Sequence, residues 1–186
     1  MTQATVSAAE LAIPTGTWKL EPNHTTIGFV ARHLMVTKVR GHFADFEGTV
    51  EIRDDLAQSS VDVTLQAASV TTGSPDRDGH LRSPDFFDVE NYPDLRFTST
   101  ELERRGEDWI MRGDLTIKDI TRPVELNVSF EGASTDPWGK TRLGFSAHGE
   151  VDREAWGLTW NVPLEHGGFL VSKHARLEIE TQLVQA

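Results

Sequence analysis

The densest set of side chains able to do chemistry is Asp76-Arg77-Asp78-Gly79-His80, with Arg82 two positions on. An imidazole beside carboxylates is the material of acid–base catalysis, and guanidinium groups can hold the polar head of a ligand. The same residues also have a structural use. Asp76 and Asp78 can cap the backbone N–H groups of a turn while Arg77 bonds a strand end. This second use needs nothing beyond what such residues ordinarily do in turns. Arg77, Asp78 and His80 are the candidates for a polar mouth, and His80 with Asp78 would be the acid and base if the protein were an enzyme.

Other chemistry has less support. Asp85 and Asp88 could form a carboxylate pair, but they also read as turn caps. His24, His33 and His42 are spaced by nine residues, a step that reverses the strand face each time and matches no helix face. No close-spaced histidine pair or HExxH element offers convergent zinc ligands, so no metal is expected. No GxSxG elbow or glycine-rich phosphate loop occurs, and the chain has no cysteine. Neither an enzyme nor a catalytic cofactor is therefore expected.

The formal net charge of −11 argues against binding a phosphate backbone, which needs concentrated Lys and Arg. Nucleic acid is not an expected partner. An anionic membrane would repel the average surface, although a local basic patch could still dock there. No stretch approaches the roughly 20 apolar residues of a membrane-spanning helix. The opening MTQATVSAAELAIPTGTW lacks the basic start and apolar run of a secretory leader. A cytoplasmic location is the expectation.

The chain's 186 residues suit one domain, preceded by a flexible tail over 1–14 and folded over 15–186. Alternation of apolar and polar residues then dominates. Val61, Val63, Leu65 and Ala67 share one face of the clearest strand, within Ser60–Val70. Val39, Gly41 and Phe43 form another such face, with a phase shift expected near Phe46 and Gly48. The same period runs through Leu95–Ser99, Trp109–Ile117, Val124–Phe130, Leu143–Val151 and a last strand from Val171 to Leu183. Arg32–Thr37 reads as a short helical or irregular passage, and Asp119 as a turn residue tolerant of left-handed backbone. With no long amphipathic helix to make parallel crossovers, the sheet should be antiparallel. About eight strands closing as a barrel would remove exposed edges. Periodicity leaves barrel and sandwich both open.

One stretch breaks the alternation. Across Asp76–Phe97, Leu81 lies just before Pro84, and Phe86 and Phe87 are bracketed by Pro84 and Pro93, which favours compact turns with at most a short helical turn between the prolines. Apolar residues without strand period need a surface to cover, so the segment reads as a lid on the sheet.

The ordered series Trp18-Lys19-Leu20, Asn23-His24-Thr25, His33-Leu34, Val39-Arg40-Gly41-His42-Phe43, Arg77-Asp78-Gly79-His80-Leu81, Phe86-Phe87-Asp88, Tyr92-Pro93, Gly113-Asp114-Leu115-Thr116-Ile117, Thr121-Arg122-Pro123-Val124 and Arg153 with Trp156-Gly157-Leu158 resembles the YceI-like family. The resemblance spans Trp18 to about Leu183. It implies an all-β fold, an extended lipocalin-like antiparallel β-barrel of about eight strands with short helical connections. It also implies a long-chain isoprenoid lipid, a polyprenyl chain or an isoprenoid quinone, bound in the interior, and a homodimer. Many relatives are periplasmic. Asp119 and Lys173-His174 depart from the family pattern in ways expected to alter local turns or surface charge.

On that reading Phe29, Phe43, Val61, Val63, Leu65, Phe97, Leu115, Ile117, Leu126, Val128 and Phe145 line the cavity, and Phe86 and Phe87 close it. The expected function is sequestration or transport of the lipid. Two rivals are an enzyme acting on such a lipid and a filled barrel serving as a stress-related structural or interaction module.

Overall fold

The computed structural model describes residues 6–186, and most of that chain is antiparallel β-structure. The strands are β1 (Gly16–Leu20), β2 (Thr26–His33), β3 (Thr37–Phe43), β4 (Phe46–Ile52), β5 (Ser60–Gln66), β6 (Val70–Thr71), β7 (Asp94–Arg105), β8 (Asp108–Ile117), β9 (Ile120–Thr135), β10 (Thr141–Asp152) and β11 (His174–Gln185). Among the described residues a single α-helix, α1 (Pro75–Arg82), occurs, between β6 and β7.

Ladder bonds run in the order β1-β4-β5-β7-β8-β9-β10-β11-β2-β3-β6, and β1 also bonds β11. Traced round, these pairings close an antiparallel barrel of eight staves. Three staves are interrupted once each: β1 with β2, β3 with β4, and β5 with β6. β11 bonds both halves of the first, pairing Leu183 with Leu20 in β1 and Leu177 with Phe29 in β2. The interruption is a 3-10 turn at Pro22–His24, opened by a proline that has no N–H to give a ladder. The expected lipocalin-like barrel is the fold.

Local departures have local causes. The passage expected to be helical or irregular over Arg32–Thr37 is a tight hairpin, with β2 running on to His33 and Leu34 and Met35 turning the chain at positive φ. Neither is a residue type that announces a left-handed turn. The Ser60–Val70 strand stops at Gln66, where a 3-10 turn buries Ala67 completely. In the β8–β9 turn the positive φ falls on Lys118 rather than Asp119. Val171 makes an isolated bridge to His33, and the last strand starts only at His174.

The loose tail expected over 1–14 is a docked segment wherever the structure describes it; residues 1–5 lie outside the described residues. Ser7 and Glu10 form a reciprocal capping box on a 3-10 turn at Ala8–Leu11. The Ala8 N–H donates to the Asp54 carbonyl at 2.8 Å, and Ala8 and Ile13 are buried. They pack with Trp18, Ile52, Leu56, Trp109, Leu143 and Leu183 to seal one end of the barrel. Trp18 is wholly buried, and its indole N–H donates to the Pro14 carbonyl at 3.2 Å.

The two longest connections, 72–93 and 153–173, lie together at the opposite end. The first contains α1, which precedes Pro84 instead of lying between the two prolines, with Pro75 in its first turn, where a missing N–H costs nothing. Arg82 fastens the helix to the β5–β6 break, donating to the carbonyls of Ala68 at 2.8 Å and Val70 at 3.1 Å. The buried Asp78 carboxylate accepts from the Thr72 amide at 2.8 Å and the Thr72 hydroxyl at 2.6 Å. Arg77 Nε donates to that hydroxyl at 2.7 Å, and its Nη2 to the Thr72 carbonyl at 3.1 Å.

Burial alone would raise the Asp78 carboxyl, but the hydrogen bonds from Thr72 outweigh it and hold the pKa below the ordinary value. A depressed carboxyl stabilises the fold above its unfolded pKa of about 3.9, and that contribution is lost as the pH falls through the folded value. Asp78→Ala leaves the Thr72 amide without its acceptor and should cost about 1–3 kcal/mol in denaturant unfolding at neutral pH. The gap from wild type should narrow below about pH 4, where the wild-type carboxylate also protonates. A gap unchanged by acid would show that the contact does not depend on charge.

Candidate functional site

The inward faces of the staves do not fill the barrel. They enclose a cavity of about 690 Å³, within the span of pockets that hold small molecules. The interior is therefore not the packed one that a filled-barrel module would have. All thirteen expected positions line it: Phe29, Phe43, Val61, Val63, Leu65, Phe97, Leu115, Ile117, Leu126, Val128 and Phe145 on the strands, and Phe86 and Phe87 from the lid.

Close strand packing makes room for the larger rings. Phe29 stands opposite Gly41 across β2 and β3 and lies over it, where any Cβ would meet the ring. A Cβ on Gly113 would come within 2.5 Å of the Phe97 ring and 2.6 Å of the Thr98 carbonyl. These glycines let aromatic side chains lie along the wall instead of projecting across the lumen. Phe43 meets Phe29 at 6.1 Å between centroids and Phe87 edge-on at 5.6 Å, so wall and lid share one aromatic contact chain.

Some lining residues had no strand period to announce them. The register shift between Ser99 and Glu101 turns Leu102 inward. Trp156, Leu158 and Trp160 reach the cavity from the 153–173 connection, where expectation placed only a turn. Trp156 is anchored by its indole N–H, which donates to the Leu115 carbonyl at 2.9 Å.

Polar groups gather at the lid end. Arg77 and His80 line the cavity there, whereas Asp78 turns away to Thr72 and is not part of the mouth. His80 Nε2 lies 2.9 Å from Asp85 Oδ2, with its ring edge-on to Trp160 at 4.5 Å and to Phe86 at 5.1 Å. The His80–Asp78 acid–base pair is not assembled. Asp85, read as a turn cap, is instead the partner of His80, and Asp88 accepts from Asn91 at 3.0 Å. Among the described residues no group of three or more His, Asp or Glu side chains converges as a metal site. Nor is any helix there long and apolar enough to cross a membrane.

The least expected member of the site is Arg153, which is 7% exposed and lines the cavity. Its Nε donates to the Ser172 carbonyl at 2.8 Å and its Nη1 to the Leu158 carbonyl. The buried Nη2 has no hydrogen-bond partner. Burial pulls the guanidinium pKa down, opposed by the charges of Glu154 and Asp152. From so high a starting value the group stays cationic at neutral pH.

A family model described as the YceI-like domain matches residues 18–183. The UPF0312 protein plu2095 of Photorhabdus laumondii is 43% identical over 129 residues, covering 69% of this chain and 67% of that protein. The Campylobacter jejuni YCEI protein structure is 30% identical with a TM-score of 0.72, covering 83% of this chain and 90% of that one. A polyisoprenoid binding domain from Saccharophagus degradans shares the fold at 15% identity and a TM-score of 0.66, covering 91% of this chain and 98% of that domain. With the family model spanning the barrel from within β1 to within β11, the chain belongs to the YceI-like family.

Proposed function

We propose that this protein binds an isoprenoid lipid, a polyprenyl chain or the tail of an isoprenoid quinone, inside the barrel and sequesters or carries it. The observation that carries the reading is the cavity itself: an unfilled interior whose strand-borne wall is mostly apolar, with small hydroxyl side chains such as Ser99 and Thr181 among it, and whose charged side chains gather toward the lid. Family membership supports it, as does a fold neighbour described as a polyisoprenoid binding domain.

Burying a hydrocarbon chain yields roughly 0.8 kcal/mol per CH₂ group, before the ordering costs of association. Affinity then resides in the tail, and recognition by burial needs no catalytic residue. Phe86 and Phe87 act as the seal over the tail. Binding without turnover is the favoured role, supported by family membership and by the polyisoprenoid binding fold neighbour, and the His80–Asp78 pair that an enzyme reading relied on is split, Asp78 going to Thr72 and His80 to Asp85.

Organic extraction of the purified protein followed by mass spectrometry should release a prenyl lipid. Recovery of none, with no uptake of added prenyl lipids by the delipidated protein, would remove the proposal. Leu115→Trp projects an indole into the lumen and should lower lipid occupancy severalfold while the far-ultraviolet circular dichroism stays that of the barrel. Unchanged occupancy in a folded variant would show that the ligand does not lie along β8.

A further inference from the structure

The charged side chains that line the cavity are Arg32, Arg77, Arg96, Arg153 and Asp76, an excess of positive charge in a protein of net charge −11. Arg32, Arg77 and Arg96 are exposed and hydrated, but Arg153 is not. Its Nε and Nη1 already tie the 153–158 turn to the Ser172 strand approach. That structural task leaves Nη2 unused, buried and unpartnered. Among the described residues no carboxylate forms an ion pair with Arg153; the nearby acids Asp152 and Glu154 pair with Lys173. A desolvated cation without a counter-ion is costly, and so are buried N–H groups without acceptors. A neutral carbonyl would satisfy the N–H groups alone. An oxyanion satisfies both the donors and the charge.

We propose that Arg153 Nη2 anchors an oxyanion head group, a phosphate or a carboxylate, on the lipid whose tail fills the cavity. This rests on the lipid-binding reading above and adds the class of head group to it. The anchor lies toward the lid, so the head stays near the polar mouth and the tail runs toward the Trp18 end.

The test uses one saturated isoprenoid tail with four heads: phytanyl phosphate, phytanic acid, phytanol and phytane, each competed against a fluorescent apolar probe on the delipidated protein. At least one oxyanion should bind about tenfold or more tighter than phytanol, as a charge-assisted bond to a buried donor gives. The phosphate and carboxylate arms identify which source fits. In Arg153→Met that gain should vanish while phytane still binds; Arg153→Lys should keep part of it. Phytanol matching the oxyanions, or all four binding alike, overturns the anchor and leaves lipid binding standing. If none of the four binds, the lipid-binding reading itself fails. Should Arg153→Met not fold, the guanidinium resonances of wild-type Arg153 decide: they should shift with phytanyl phosphate or phytanic acid and not with phytane, and the absence of a shift overturns the proposal.

A different observation concerns the rim. Leu34, Met35 and Val36 on the β2–β3 tip are 45%, 65% and 76% exposed, and Val162 and Phe169 on the neighbouring hairpin are 42% and 55% exposed. The two loops are joined by the Leu34 N–H, which donates to the Leu170 carbonyl at 2.8 Å, and Leu170 and Val171 line the cavity. The exposed apolar rim is thus continuous with the cavity wall. Behind the tip, Arg32 stands directly opposite Lys38, both exposed and neither in an ion pair among the described residues. Like charges facing across a strand pair are unfavourable unless an anion meets them. Glu165 is the only carboxylate on the 162–169 hairpin.

We infer that this rim rests on an anionic lipid bilayer, with Met35, Val36 and Phe169 among the acyl chains and Arg32 and Lys38 at head-group level. The cavity mouth then opens toward the lipid. Wild-type protein should co-sediment with phosphatidylcholine vesicles containing phosphatidylglycerol, less so with phosphatidylcholine alone, and less at high salt. The combined Met35→Ser, Val36→Ser, Phe169→Ser variant should lose vesicle binding and still bind phytane in solution. Arg32→Gln with Lys38→Gln should lose the preference for anionic vesicles. Equal vesicle binding by wild type and the serine variant overturns the inference. So does loss of self-association in that variant with vesicle binding intact, which would assign the rim to a second copy of the chain.

Discussion

Closure of the ladder through β11 is the constraint on which the rest depends. One strand must bond β1 with its last residues and β2 with its first half, so the stave that completes the ring has to break between them, at Pro22. Once the ring is closed, every strand has a single inward face, and eight such faces surround a lumen whose width is set by strand number and tilt. Cβ-less positions such as Gly41 and Gly113 let the neighbouring rings lie flat against the wall. Width is therefore not consumed by the largest side chains, and space remains.

The up-and-down path also divides the work between the two ends. Short connections and the docked N-terminal segment seal the Trp18 end with apolar side chains. Both long connections fall at the other end, where strands have already spent their ladder bonds and side chains must satisfy the loose backbone. That need explains Arg82 on the Ala68 and Val70 carbonyls, and Asp78 and Arg77 on Thr72. Arg153 belongs to the same class of backbone clamp, but its fork is larger than its task. A clamp with donors to spare, set in a cavity wall, is where structural and binding roles overlap.

Strand-borne lining was legible in the sequence because period-two alternation and antiparallel pairing map directly onto inside and outside. Val61, Val63 and Leu65, or Leu115 and Ile117, needed no more than that. Where a bulge resets the phase, as before Leu102, alternation points the wrong way. Where the lining comes from a connection, as with Trp156 and Trp160, there is no period to follow. The segment before Trp18 was misread for a related reason: it carries few apolar residues, but a barrel end supplied the surface that Ala8 and Ile13 needed. The lid was legible as a break in pattern, though α1 lies upstream of Pro84 because proline is accepted in a helix's first turn, here at Pro75.

By itself the sequence determined the class of fold, the inward identity of the regular strand positions, the location of the lid and, through its ordered motifs, the family. Those properties follow from local spacing and so survive without coordinates. Whether the interior was filled, which ring nitrogen met which carboxylate, and which arginine was stripped of water were decided only by the tertiary structure. Each of these depends on the three-dimensional arrangement: among the described residues Arg153 has no ion-pair partner, because its surroundings bring two carbonyls to its fork while the neighbouring acids Asp152 and Glu154 pair with Lys173. Burial of charge is a property of the closed barrel, and no single segment carries it.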